Sequence, residues 1–107
     1  MANYIQVITT VEKQADGLAL ARLLVERRLA SCVQVIGPIT SIYRWRGAVE
    51  TAGEWLCLIK TREDLYEALE AAVREAHPYE VPELLALPVV KGSKDYLEWL
   101  DDALKRQ

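Results

Sequence analysis

The sequence holds one histidine, His77, among 107 residues, and two cysteines, Cys32 and Cys57, that stand far apart. A single imidazole allows one conventional catalytic triad, which would have to be built on His77. The serines lie outside any Gly-x-Ser-x-Gly elbow. The glycines form neither a phosphate loop nor a dinucleotide fingerprint. Without a Cys-x-x-Cys pair, a thiolate zinc site or a thioredoxin-like centre has no support. The two thiols read as free cysteines buried in strands, against the alternative of a redox pair or a soft metal ligand. Catalysis is therefore not expected of this chain.

Runs of like charge are also missing. Thirteen basic and sixteen acidic residues are interleaved, for a net charge of -3. Nucleic-acid binding needs clustered Lys and Arg to neutralise phosphates, and Arg44 with Arg46 is too thin a cluster for that. The apolar stretches fall well short of the ~20 residues that span a bilayer, so no membrane partner is expected. The first residues, Met1 to Gln6, lack the basic start and apolar region of a signal peptide, which makes the cytoplasm the expected compartment. What is present is an ordinary globular balance, 51% hydrophobic and 27% charged. The length suits one domain spanning residues 1–107.

Along the chain the periodicity alternates between strand and helix. Residues 3–10 read as a strand. Residues 13–29 read as a helix whose apolar stripe is Leu18, Ala21, Val25 and Leu29, with Leu20 and Leu24 beside it. Residues 32–45 run extended, interrupted by Gly37-Pro38, which predicts a bulge or bend. Gly47 marks a turn, and a third strand ends in Trp55 to Ile59. Thr61 and Asp64 have capping-box spacing for a helix carrying Leu65, Leu69, Ala72, Val73 and Ala76, which Pro78 should stop. Residues 83–90 read as a fourth strand. A closing helix over about 94–105 has Leu97, Leu100 and Leu104 inside, with Asp95 and the pair Lys105 and Arg106 placed as the helix dipole prefers. The order βαββαβ plus a C-terminal helix predicts an α+β, ferredoxin-like antiparallel sheet. Strands with one wet face should alternate apolar and polar residues, yet Trp55 to Ile59 and Leu84 to Val90 are apolar on both faces. Two helices cover only one side, and a long hairpin is an aggregation hazard unless it pairs. Both points predict a homo-oligomer.

The segment with most chemical content is His77-Pro78-Tyr79-Glu80-Val81-Pro82-Glu83. Prolines stiffen this connector, and an imidazole with two carboxylates suits a divalent cation. The structural alternative is a helix-end histidine followed by solvated glutamates, and local spacing does not show convergence. Lys60, beside a helix start, suits an anion or else a simple ion pair. Tyr43, Trp45, Trp55 and Trp99 read as core or interface anchors in preference to stacking platforms.

Taken in order, Ala30-Ser31-Cys32-Val33, Ser41-Ile42-Tyr43-Arg44-Trp45-Arg46-Gly47, Glu54, Lys60-Thr61, the His77–Glu83 segment and Tyr96-Leu97-Glu98-Trp99-Leu100 resemble the CutA family of divalent-cation tolerance proteins over nearly the whole chain. The resemblance implies a ferredoxin-like subunit in a homotrimer. It also implies an architecture similar to PII signalling proteins, which bind small effectors between subunits, and an association with copper and other divalent cations. It places the metal ligands on His77, Glu80 and Glu83, and further ligand contacts on Lys60, Tyr79 and Glu54. Some family members carry a cysteine at the end of the first strand. Here that region is Ile8-Thr9-Thr10, so a site built on a first-strand thiolate is not expected. Two functional readings follow from the resemblance: binding of a divalent metal ion, copper or another, in cation tolerance; or PII-like binding of a small anionic metabolite between subunits. A trimer with no ligand is the third.

Overall fold

In the first strand, β1 (Tyr4–Val11), burial alternates from Tyr4 to Thr9: Ile5, Val7 and Thr9 are buried and Tyr4, Gln6 and Ile8 half-buried, after which Thr10 and Val11 are both buried. That period of two is what a pleated strand with one face on a core produces. The structure is a computed structural model that describes residues 3–106. After β1 come α1 (Gln14–Glu26), β2 (Cys32–Trp45), β3 (Ala48–Arg62), a 3-10 turn (Glu63–Leu65), α2 (Tyr66–Ala76), β4 (Leu85–Pro88) and α3 (Lys94–Asp102). The sheet order is β2-β3-β1-β4, and every neighbouring pair is antiparallel. This is the ferredoxin-like arrangement expected from the sequence.

The main core lies between one sheet face and the helices α1 and α2. Ile5, Val7 and Ile59 from the sheet pack with Leu20 and Leu24 from α1 and with Leu69, Ala72 and Val73 from α2. The expected stripe of α1 is rotated. Leu18 and Val25 are exposed, while Gly17, Leu20 and Leu24 are buried. Gly17 explains the rotation, because a Cβ there would come within 3.1 Å of Val35 and 3.2 Å of Val11. The helix lies down on its glycine, closer to the sheet than a larger residue allows. It also ends earlier than expected. Arg28 takes the left-handed conformation (φ 58), and the amides of Leu29 and Arg28 reach back to the carbonyls of Leu24 and Val25. This is a Schellman closure without the glycine that announces it in sequence.

Thr61 does not cap α2. Its hydroxyl donates to the Leu29 carbonyl at 2.7 Å, which ties β3 to the end of α1. The chain then makes its 3-10 turn before α2 begins at Tyr66. Pro78 stops α2 as expected, with His77 held extended at ψ 133. The fourth strand is shorter than residues 83–90, because only Leu85 to Pro88 pair with β1. α3 is capped by the Ser93 hydroxyl, which accepts from the Tyr96 amide. It is fastened by Arg62, whose buried guanidinium donates to Asp64, Asp101 and the Lys105 carbonyl.

β2 and β3 form a hairpin of 14 and 15 residues that runs beyond the core and stretches the molecule to 44 × 25 × 22 Å. Its turn is Arg46-Gly47, both left-handed (φ 50 and φ 83), the two-residue turn that matches strand twist. The pairing register shifts between Ile36 and Ile39, at the Gly37-Pro38 break, whose peptide bond is cis. On the sheet face away from α1 and α2, Ile36, Leu85 and Leu87 remain exposed. Among the described residues, no helix is long and apolar enough to cross a membrane.

Candidate functional site

The register shift of β2 matters because of what stands opposite it. Glu54 pairs with Ile39 just past the break. Gly37 has no Cβ, and one would lie 2.7 Å from the Trp55 ring. The indole therefore occupies space a side chain would fill, and the neighbouring Glu54 is turned inward, 7% exposed. Its carboxylate accepts a hydrogen bond from the Tyr79 phenol at 2.8 Å. Among the described residues, no Lys, Arg or His forms an ion pair with it.

Tyr79 is placed by His77. With the backbone extended after α2, the imidazole folds inward and is 8% exposed. Its Nε2 bonds the Thr10 carbonyl at 2.8 Å, and its Nδ1 accepts from the Tyr79 amide at 3.1 Å. A carbonyl only accepts and an amide only donates, so the ring is neutral with its proton on Nε2. The two rings also touch, with centroids 4.9 Å apart. His77 thus pins the connector to the end of β1 and aims Tyr79 at Glu54. Burial first, then the hydrogen bond and the charge of Glu54, push the Tyr79 phenol above its usual value, so it remains a donor.

The hairpin tip folds toward this connector, and an open cleft of about 680 Å³ lies between them. Glu54, Tyr79, Glu80 and Glu83 line it together with Ser41, Tyr43 and Trp45. At the rim, Arg46 donates to Glu80 at 3.0 Å and lies 5.3 Å from the Trp45 ring centroid. The wall therefore combines three carboxylates with three aromatic rings, and none of its lining residues is Lys, Arg or His. Such a wall attracts positive charge and repels anions.

The expected site residues are only partly brought together. Glu54, Tyr79, Glu80 and Glu83 share the cavity. His77 stands behind it, with both ring nitrogens already bonded inside the chain, so the set His77, Glu80 and Glu83 does not converge as three ligands. Among the described residues, no group of three or more His, Cys, Asp or Glu side chains is placed to hold a metal ion. Lys60 is elsewhere: it lies opposite Cys32 and Gln6 and donates to Gln34. It is six positions from Glu54 along one strand, ~20 Å at the rise of a strand. Cys57 is fully buried and Cys32 half-buried, both outside the cavity lining. Thr10, Tyr43, Trp45 and Arg46 are contributors that the sequence reading assigned to other roles or passed over. Gly47 signals the turn and Ser41–Gly47 is one of the stretches that carry the family resemblance, but which connector that turn would meet is a tertiary fact.

The fold and this cavity define the class of protein: a ferredoxin-like α+β subunit with an acidic, aromatic pocket under its long hairpin. The family described as CutA1 divalent ion tolerance protein matches residues 5–103. The divalent-cation tolerance protein CutA of Thermus thermophilus is 44% identical over 88% of this chain and 91% of its own length. The chloroplastic protein CutA of Arabidopsis thaliana is 43% identical over 94% of this chain, which spans only 56% of that relative. The crystal structure of CutA1 from Oryza sativa superposes with a TM-score of 0.95 at 41% identity, over 98% of this chain and 96% of that one. The chain belongs to the CutA1 family of divalent ion tolerance proteins.

Proposed function

We propose that this chain serves divalent-cation tolerance by binding a copper-type divalent cation at the cavity carboxylates Glu54, Glu80 and Glu83, within a homotrimer. The observation that carries this reading is Glu54. A carboxylate that is 7% exposed and, among the described residues, bonded to a phenol and to no cationic side chain is a costly arrangement unless positive charge reaches it. The lining offers oxygen donors, and a given donor set binds Cu²⁺ more tightly than Mn²⁺ or Zn²⁺. The donors fit a cation in charge and atom type, but a single chain supplies them incompletely, so a second copy completes the coordination. The exposed apolar face carrying Ile36, Leu85 and Leu87 supports such an assembly.

The alternative, a small anionic metabolite held between subunits near Lys60 and Tyr79, has less support, because the cavity lining beside Tyr79 is acidic and Lys60 of the same chain lies away from it. Calorimetric titration with Cu²⁺ and Zn²⁺ tests the proposal. Replacing the exposed pair Glu80 and Glu83 with Gln should weaken binding by about tenfold or more, the scale of losing charged donors, without unfolding the chain. Equal binding by the parent and the Gln variant discards it.

A further inference from the structure

Arg46 already shows what the cavity recognises. Its guanidinium lies at the rim, bonds Glu80 at 3.0 Å and sits over Trp45 at 5.3 Å. Both partners of that ion pair are about 70% exposed, so the contact is solvent-screened and readily displaced. Behind it the cavity continues to Glu54, which Arg46 does not reach. On the single chain the cleft measures about 680 Å³, which leaves room for an organic ligand, beside any contribution from a second copy, and is far more than a bare ion needs. The walls are Tyr43, Trp45 and Tyr79, whose ring faces attract cations.

The donor pattern narrows the class. The Tyr79 phenol gives its proton to Glu54, so its own oxygen is left to accept. The deep end of the cavity therefore presents acceptors, and it suits a cation carrying N–H donors over a quaternary ammonium, which has none. We propose that this cavity binds an organic cation of metabolite size, a primary ammonium or guanidinium on an apolar stem. Its head bonds Glu54 and Tyr79, its stem lies against Tyr43 and Trp45, and Arg46 is a tethered competitor at the entrance. The inference rests on the reading that this cavity receives positive charge, but it names a ligand class distinct from a divalent metal.

The test is calorimetric titration of the intact chain with agmatine, alongside tetramethylammonium and, separately, Cu²⁺. Agmatine should bind saturably. Tetramethylammonium should bind about tenfold more weakly or worse, because it cannot make charge-assisted hydrogen bonds to Glu54. Glu54→Gln should weaken agmatine by a similar factor. Arg46→Asn should tighten it a few-fold by removing the competitor, and it leaves an Asn-Gly dipeptide that the turn prefers. If Glu54→Gln does not fold, Trp45→Ala at the hairpin tip supplies the same measurement. Absence of agmatine binding to both the parent chain and Arg46→Asn overturns the inference, as does agmatine binding indifferent to Glu54→Gln or Trp45→Ala. Copper binding that depends on Glu80 and Glu83 without any agmatine binding overturns the organic cation and leaves the metal reading standing. Agmatine binding without copper binding does the reverse.

Discussion

At the scale of single residues, the Glu54–Tyr79 pair has the largest consequence. Tyr79→Phe removes the one hydrogen bond the buried carboxylate accepts from the described residues. Leaving such a group unsatisfied costs about 1–3 kcal/mol, so the variant should be less stable by about that much, read as a lower urea midpoint. Cys57 gives a pH test. Burial pushes its thiol from the ordinary 9.0 up to about 11. The folded chain therefore holds that proton more tightly than the unfolded chain. The stabilisation is complete below pH 9 and is lost as pH rises toward 11. By pH 10 the loss from this group is about 1.4 kcal/mol. Urea unfolding at pH 8 and pH 10 should show that decline in the parent chain, and Cys57→Ala, although less stable at both, should lack this component. The sequence predicts Cys57 as a buried free thiol in a strand, and it is one, in β3 with no exposed surface. For His77 the sequence is less complete: spacing puts an imidazole near two carboxylates, but only the fold reveals that both ring nitrogens are already engaged.

At the scale of elements, strand and helix order was legible because each segment carries its own periodicity. Boundaries were legible where a residue enforces them, as Pro78 does for α2. The end of α1 was not, because Arg28 occupies a left-handed position that sequence rules reserve for glycine. Arg28→Gly should therefore stabilise the chain by about 0.5–1 kcal/mol, read as a rise in the urea midpoint with unchanged slope. Periodicity alone does not fix the stripe of α1, for a related reason. Leu18 and Val25 satisfy the helical period as well as Leu20 and Leu24 do, and it is the close approach at Gly17 that selects between them. Likewise Thr61 and Asp64 satisfy the capping-box pattern, but the Thr61 hydroxyl bonds Leu29 and the Asp64 carboxylate bonds Arg62.

At the scale of the whole molecule, one sheet face is filled by α1 and α2, while the other leaves Ile36, Leu85 and Leu87 in solvent. Leu87 is 44% exposed in the single chain, so Leu87→Lys should leave its far-ultraviolet circular dichroism unchanged. In sedimentation the same change should shift the protein toward monomers at micromolar concentration, since a lysine buried in an apolar interface loses its hydration. A parent chain that sediments as a monomer would remove the assembly and the shared coordination proposed with it.

The sequence by itself determined the βαββαβ order, the antiparallel sheet, the excess of apolar strand surface and the family. All of these follow from periodicity, breakers and ordered motifs, which are local or additive properties of the chain. Only the tertiary structure decided which carboxylates and rings share a cavity, that His77 stands behind it, and that Lys60 lies outside it. Those are distances between residues far apart in the chain, set by how a bulged hairpin folds over a proline-stiffened connector, and no local spacing encodes them.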